Sequence, residues 1–373
     1  MRINKITIRR LTIDAQPFYG NNSIPRGEPH EWEFPLLILS TDEGIDGHTM
    51  AYGTNGEGRG TAYQLYDIFR EDLIGLDPFE SESFWHRMRR KHRHLYALSE
   101  CLLGVMDVGL WDLKGKAMNK PIADLLGIVR RKVPSYASAS WALQTPMEVA
   151  AEALAKKKAG FHAYKMQWRE GPTKDIPKLC AAREAVGPDF RLMHDPNAQY
   201  TFHQALEVGR ILDDLNFYWY EEPLPDRQTI LLRKLADELK TPILSTETLL
   251  LGELAEVIRH TAGDMVRGDV HLKSGITGLR KMIATCELFG LNLEIHTAGT
   301  PLLDVANLHV ACSTELSEFV ETHHEIHRFG MKNTPLDIDD RGYVHLPTGA
   351  GLGVELDWDW IEKHTVEVLT FSE

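Results

Sequence analysis

Two rhythms of apolar residues divide the chain. Residues 1–13, MRINKITIRRLTI, alternate as a strand does, and PLLILST (35–41) reads as a second strand. From about 62 to 125 the apolar positions recur at helical spacing, ending in ALSECLLGVMDVGLWDLKGKAMNKPIADLLG. Beyond residue 130, short apolar runs alternate with amphipathic stretches. The runs are VPSYASA (133–139), AYKMQW (163–168), RLMHDP (191–196), FYWYEEP (217–223), PILSTE (242–247), MVRGD (265–269), LNLEIH (291–296) and SEFVET (317–322).

The helices between them carry start and stop signals. Before PMEVAAEALAKKKAG (146–160), Thr145 can cap, Pro146 suits the first turn, Glu148 completes a capping box and Gly160 suits the exit. Thr201 and Gln204 offer a second capping box, and SGITGLRKMIATCELFG (274–290) reads as a third helix. Eight strand–helix alternations imply a parallel sheet. Their regular spacing, roughly 22–29 residues per unit, fits a closed (β/α)8 barrel, with an open doubly wound sheet as the rival. The barrel is preferred because polar residues stand at the carboxyl end of nearly every strand, and a ring of strand ends gathers them around one centre.

Two stretches fit neither rhythm. Residues 14–32, DAQPFYGNNSIPRGEPHEW, read as a long loop of the kind used as a lid. TMAYGTNGEGRGT (49–61) reads as a mobile Gly-rich turn region without a phosphate-binding fingerprint.

Composition narrows the partners. The 373 residues allow two domains, and 43% hydrophobic with 25% charged content is that of an ordinary globular protein. A net charge of −13 argues against nucleic acid and anionic membrane. The basic run HRMRRKHRH (86–94) reads as a solvated helix face or a domain contact. Cys101, Cys180, Cys286 and Cys312 are scattered, as reduced thiols of a cytoplasmic protein would be. No apolar run approaches the ~18 residues of a membrane span, and the N-terminus lacks the apolar core of a signal peptide.

The chemistry is in the strand ends. Asp195, Glu221 and Glu247 end the third, fourth and fifth barrel strands, 26 residues apart each time. Neighbouring strands lie ~5 Å apart, so these three carboxylates converge. Their mutual repulsion calls for a hard dication, and an oxygen-only ligand set points to Mg²⁺. His194 and Asn197 flank the first ligand, either touching substrate or orienting their neighbours. Glu222 and Asp226 read as supporting residues. Asp269 ends strand six and His296 strand seven; a carboxylate beside an imidazole fixes its tautomer and makes a general base. Lys165, ending strand two, faces a metal-bound carboxylate, where it would stabilise developing negative charge. Glu321 on strand eight can share a proton with a substrate oxygen, with Glu318 and Glu325 as competitors for that role.

Several segments together resemble the enolase superfamily, in its mandelate racemase-like subgroup. They are DVGLWDLKGKAMNKPIADLLG (107–127), GFHAYKMQ (160–167), HDPN (194–197), YEEP (220–223), STET (245–248), GDVHLKSGITG (268–278) with Ser274 in place of a Gly, and EIHTAG (294–299). The resemblance implies an α+β capping domain (residues 1–130), a modified TIM-barrel catalytic domain (131–345) and a C-terminal segment (346–373) returning to the cap. It implies abstraction of the proton α to a carboxylate, with Mg²⁺ stabilising the enediolate. Cap-loop residues Tyr19, Asn21, Asn22, Arg26 and Trp32, together with Gln167, Trp168 and Arg169 after strand two, would set specificity.

One departure matters. Two-base members carry Lys-x-Lys on strand two, and here the segment is Lys165-Met166-Gln167. Gln167 cannot take up a proton. A single base on the His296 side fits a syn elimination of water from a sugar acid of R configuration at carbon 2, as in acid-sugar dehydratases. An epimerase, a lactone cycloisomerase and a non-catalytic metal-binding homologue are the alternatives. The expected partners are a small carboxylate substrate and further copies of the chain in a homo-oligomer.

Overall fold

A computed structural model of the chain describes residues 1–14, 31–52, 57–95, 98–139, 145–322, 328–333 and 335–372. Its first sheet is antiparallel and contains β1 (Ile3–Asp14), β2 (Glu31–Thr41) and β3 (Asp46–Met50). Helices Glu57–Leu73, Ser81–Leu95 and Glu100–Ala117 complete this α+β cap. The parallel strands follow: β4 (Lys132–Ser138), β5 (Ala163–Met166), β6 (Arg191–His194), β7 (Trp219–Glu221), β8 (Ile243–Ser245), β9 (Met265–Gly268), β10 (Asn292–Ile295) and β11 (Val320–Thr322). A short β12 (Tyr343–His345) pairs antiparallel with β4. The chain ends in β13 (Thr365–Ser372), which returns to the first sheet and pairs antiparallel with β1.

Strands β4 to β10 are neighbours in chain order, and β11 lies on the free side of β4. Such an order has no reversal point, which removes the doubly wound alternative. With a helix in each interval, the sheet is a (β/α)8-type barrel. Among the described residues no backbone ladder joins β10 to β11. Glu294 spans that gap with its side chain: it accepts from the backbone N–H of Glu318 (2.9 Å) and Phe319 (3.2 Å). Burial pushes this carboxyl up to about 7, even though the two N–H groups pull the other way.

The capping boxes form as expected. Thr145 and Glu148 close one over Pro146–Lys158, and Thr201 and Gln204 close the other over Phe202–Asp214. Two sequence expectations need correcting. β2 begins at Glu31, earlier than residue 35, because Trp32 and Phe34 are core residues packed edge to face at 5.8 Å. The Gly-rich region read over 49–61 is regular at both ends, since β3 runs through Met50 and a helix starts at Glu57, while residues 53–56 lie outside the described residues. The basic run lies in the helix Ser81–Leu95, where Arg87 and Lys91 pair with Asp72, and Arg89 pairs with Glu100 at 2.7 Å. Among the described residues no helix is long and apolar enough to cross a membrane.

The barrel interior shows why a charged site sits at one end. A closed apolar cluster of Tyr136, Ala163, Met193, Trp219, Leu244, Met265 and Phe319 plugs its lower part. Side chains on a strand return to the same face every second residue. Two positions beyond these plug residues come Ser138, Lys165, Asp195, Glu221, Thr246, Arg267 and Glu321. The same strands that build the dry floor therefore present a layer rich in charge above it.

The cap seats on this end. The helix Glu100–Ala117 is buried along nearly all its length. A Cβ on its Gly104 would lie 2.4 Å from the Val270 carbonyl, so only glycine lets the loop after β9 approach this closely. Asp107 on the same helix accepts from Thr277 Oγ1 at 2.6 Å, and Trp111 Nε1 donates to that hydroxyl at 3.0 Å.

Candidate active site

The ring is held by two cations of the chain. Lys165 is fully buried, and its Nζ lies 3.5 Å from Asp195 Oδ2, 3.3 Å from Glu221 Oε1 and 3.2 Å from Glu321 Oε1. Arg267, equally buried, reaches from the other side. Its Nε stands 2.7 Å from Glu221 Oε1 and 3.5 Å from Glu247 Oε2, and an Nη2 hydrogen bond of 2.7 Å goes to Glu321 Oε2. Tyr136 also donates to Glu321 (2.7 Å), as does Ser138. Glu321 is thus the ring's eighth-strand acid. Glu318 is half exposed and pairs instead with Arg191, and Glu325 lies outside the described residues.

The three acids expected to hold metal are brought together, though around these cations rather than around a common vacant point. Among the described residues no group of three His, Cys, Asp or Glu side chains is arranged to hold a metal ion as it stands. The physical reason is local. Glu221 gives Oε1 to Arg267 and Lys165, while Oε2 accepts from Trp219 Nε1 at 3.2 Å.

The charge balance nevertheless asks for a further cation. Glu222 is 4% exposed, its Oε1 is buried without a hydrogen-bond partner, and its pKa is pushed up to about 11. Burial is the first cause, followed by the charges of Glu247, Asp226 and Asp195. Asp195, Glu221, Glu247 and Glu321 outnumber the two resident cations, Lys165 and Arg267, and an oxygen-seeking dication suits that donor set.

The backbone around these acids is strained. Asn197 (φ 48°), Ala198 (58°), Glu222 (36°) and Thr246 (88°) take left-handed conformations beside Asp195, Glu221 and Glu247. Such conformations cost roughly 1–3 kcal/mol each and concentrate at functional sites. The loop carrying Glu247 is clamped from two sides. Asp226 accepts from the N–H groups of Thr246 and Thr248 (2.7 and 2.8 Å), and Lys273 Nζ donates to the carbonyls of Thr246 and Glu247 (2.7 and 2.9 Å).

Across the ring, His296 Nδ1 lies 3.1 Å from Asp269 Oδ2, and its Nε2 points toward Glu247 Oε2 at 3.5 Å. Asp269 Oδ1 is fixed by the backbone N–H groups of His271 (2.6 Å) and Leu272 (2.8 Å). Desolvation works to lower the His296 pKa, but the Glu247 charge and the Asp269 hydrogen bond outweigh it, and the net shift is upward. An Nδ1–H held by Asp269 leaves Nε2 as the nitrogen that accepts a proton.

On the opposite side, Gln167 donates its amide to Asp195 Oδ2 at 3.2 Å. Asn197 binds the same acid through its backbone N–H (2.8 Å) and side-chain amide (3.3 Å), and its Oδ1 accepts from Arg169 (3.0 Å). Two expected substrate contacts are corrected. His194 is fully buried, stacks on Tyr220 at 5.7 Å and engages both ring nitrogens, with the Met166 carbonyl and the Tyr200 hydroxyl. Trp168, 4% exposed, lies under the Lys178 ammonium, 4.4 Å from its ring centroid. Both side chains pack into the wall of the barrel. Tyr19, Asn21, Asn22 and Arg26 lie outside the described residues, and Trp32 belongs to the cap core. Arg267 was not anticipated from the sequence, although it stands two residues before Asp269 on the inward face.

Fold and site define a capped barrel protein with an acid ring and a His–Asp pair at its strand ends. Sequence comparison agrees: the family described as Enolase C-terminal domain-like matches residues 148–360, and the mandelate racemase / muconate lactonizing enzyme N-terminal domain matches 13–127. The chain belongs to the enolase superfamily, in its mandelate racemase-like part. It is 30% identical over 333 residues to an arabinonate dehydratase of Saccharolobus solfataricus, covering 87% of this chain and 88% of the relative. A D-galactarolactone cycloisomerase of Agrobacterium fabrum is 30% identical over 306 residues, covering 77% and 80%. Among solved structures, D-glucarate dehydratase from Agrobacterium tumefaciens complexed with magnesium superposes with a TM-score of 0.86 at 28% identity, over 98% of this chain and 100% of the other. These three relatives, two dehydratases and a cycloisomerase, are of more than one reaction type.

Proposed function

We propose that the protein is a magnesium-dependent dehydratase of a sugar acid, an aldonate or aldarate. The observation that carries this reading is the asymmetry of the ring: a His296–Asp269 base on one side and, on the other, a Gln167 amide where a second base would stand. Asp195, Glu221 and Glu247 would hold Mg²⁺, which supplies positive charge for a substrate carboxylate and lowers the cost of removing the proton α to it.

The chain's own residues then do the following. His296 Nε2 removes the proton from carbon 2 while Asp269 steadies the imidazolium through Nδ1. Lys165 adds positive charge beside the substrate carboxylate. The same imidazolium returns the proton to the β-hydroxyl, which leaves as water from the face on which the α-proton left. The product enol tautomerises to a 2-keto-3-deoxy acid, and the imidazole is neutral again. Glu321, bonded to Lys165, Arg267, Tyr136 and Ser138, holds these cations in place.

A sugar-acid library incubated with Mg²⁺ and read out with semicarbazide is expected to reveal 2-keto acid formation. Chelation should abolish turnover, and added Mg²⁺ should restore it. A product isomeric with its substrate, with no water lost, would favour a cycloisomerase instead, a reading supported by the equally similar galactarolactone enzyme. The single-base arrangement makes a separate prediction. In D₂O, α-proton exchange is expected for acids of one carbon-2 configuration, R, and not for their 2S epimers. Exchange of both epimers by the unaltered protein would show a second base, and exchange or turnover of 2S acids alone would reverse the stereochemical assignment.

A further inference from the structure

Arg267 differs from the other members of the ring in what it touches. It is fully buried within the barrel, and one guanidinium contacts three carboxylates: Glu221 (2.7 Å), Glu247 (3.5 Å) and Glu321 (2.7 Å). It also donates to the Tyr136 hydroxyl at 2.8 Å, which anchors it to the plug below. Its Nε and Nη1 are buried without an aligned hydrogen-bond acceptor, so the approach to Glu221 and Glu247 is one of charge more than of directed bonding.

We infer that Arg267 is a resident cation of the acid ring, neutralising Glu221 and Glu247 when no metal is bound and competing with a divalent cation for them, so that the metal is held exchangeably. The inference rests on the reading of Asp195, Glu221 and Glu247 as the metal-holding acids. Its basis is geometric. The Arg267 Nε occupies the neighbourhood of two of the three expected ligands, and the nearest Glu221 oxygen is the one shared with Lys165. A dication entering there must draw carboxylate oxygens away from a guanidinium that the fold does not let go, and it must bear that cation's repulsion at short range. The same contact has a structural consequence. With Arg267 already inside the ring, the barrel depends less on metal to offset its buried acids. Arg267 is thus a positioning residue: it sets how the acids are held and how tightly metal binds, without being required to touch substrate.

The test compares chelator-stripped wild type, Arg267→Gln and Arg267→Lys, titrated with Mg²⁺ by calorimetry and melted with and without Mg²⁺ under circular dichroism. Wild type is expected to stay folded without metal and to gain little on adding it. Arg267→Gln is expected to bind Mg²⁺ at least ~10-fold more tightly, since a neutral amide removes the competing charge. It should also melt below wild type when metal-free and recover more of its melting temperature with Mg²⁺. Arg267→Lys should fall between the two, because an ammonium keeps the charge but cannot span three carboxylates. A glutamine variant that folds only with Mg²⁺ supports the same conclusion. If that variant folds under neither condition, the lysine variant must bind Mg²⁺ more tightly than wild type, and no gain overturns the inference. Binding of equal or lower strength in both variants overturns the role of Arg267 alone. Absence of Mg²⁺ binding from all three proteins overturns the metal reading on which the proposed function stands.

Discussion

His296→Asn is expected to lose at least ~10²–10⁴-fold in kcat, the usual contribution of a positioned general base. Asparagine has a similar reach and its amide N–H can still donate to Asp269, so the fold around it should hold. It has no nitrogen that accepts a proton. In the elimination proposed, the imidazole acts twice, first taking the α-proton and then delivering it to the departing hydroxyl. Both steps fail together, and no other described group near Nε2 can replace it, since Glu247 is committed to the ring. The variant should therefore show neither keto acid nor α-proton exchange. The wild-type pH profile should carry a limb that rises as the imidazole loses its proton, since only the neutral ring, with its Nδ1–H held by Asp269, can act as the base. That limb should be absent from whatever residual activity His296→Asn retains. Unchanged exchange in the variant would remove His296 from the chemistry.

Much of this site follows from the period of two along parallel strands. Lys165, Asp195, Glu221 and Glu321 each stand two residues after a plug residue, so the phase that puts Ala163, Met193, Trp219 and Phe319 in the barrel also brings the charged layer in. The spacing of 26 residues revealed which acids belong together. What stayed hidden is what that phase alone does not reveal. Parallel barrel strands are buried on both faces, so MVRGD shows no alternation to mark Arg267 as inward-pointing. Its role emerges only when Glu221, Glu247 and Glu321 arrive from other strands. His194 and Trp168 failed as substrate contacts for a reason the sequence did contain. They occupy the phase opposite to Asp195 and Gln167, and so face the surrounding helices and loops. The acid convergence and the lysine facing it, Lys165, were legible, whereas Arg267 was not, because a ring of like charges read from spacing carries no information on which further buried base answers it.

Lys165→Met is the second large expected effect. The ammonium is enclosed completely and lies within 3.5 Å of Asp195, Glu221 and Glu321 at once. Methionine fills nearly the same volume, so packing changes little and the loss is one of charge. Removing one partner from a buried ionic cluster leaves the others uncompensated, which typically costs ~3–5 kcal/mol. Arg267 cannot make this up, because it does not contact Asp195 and its charge is already shared among Glu221, Glu247 and Glu321. Urea unfolding of the metal-free variant should register a loss of that size. Mg²⁺ should restore part of it if Asp195 and Glu221 bind the metal, since the dication then supplies charge where the ammonium stood. Catalysis should not return with stability, because methionine offers no positive charge to a substrate carboxylate. A metal-free Lys165→Met protein as stable as wild type would mean that the three acids are not charged together in the folded state, and the ring could not then be the anionic metal site that the chemistry requires.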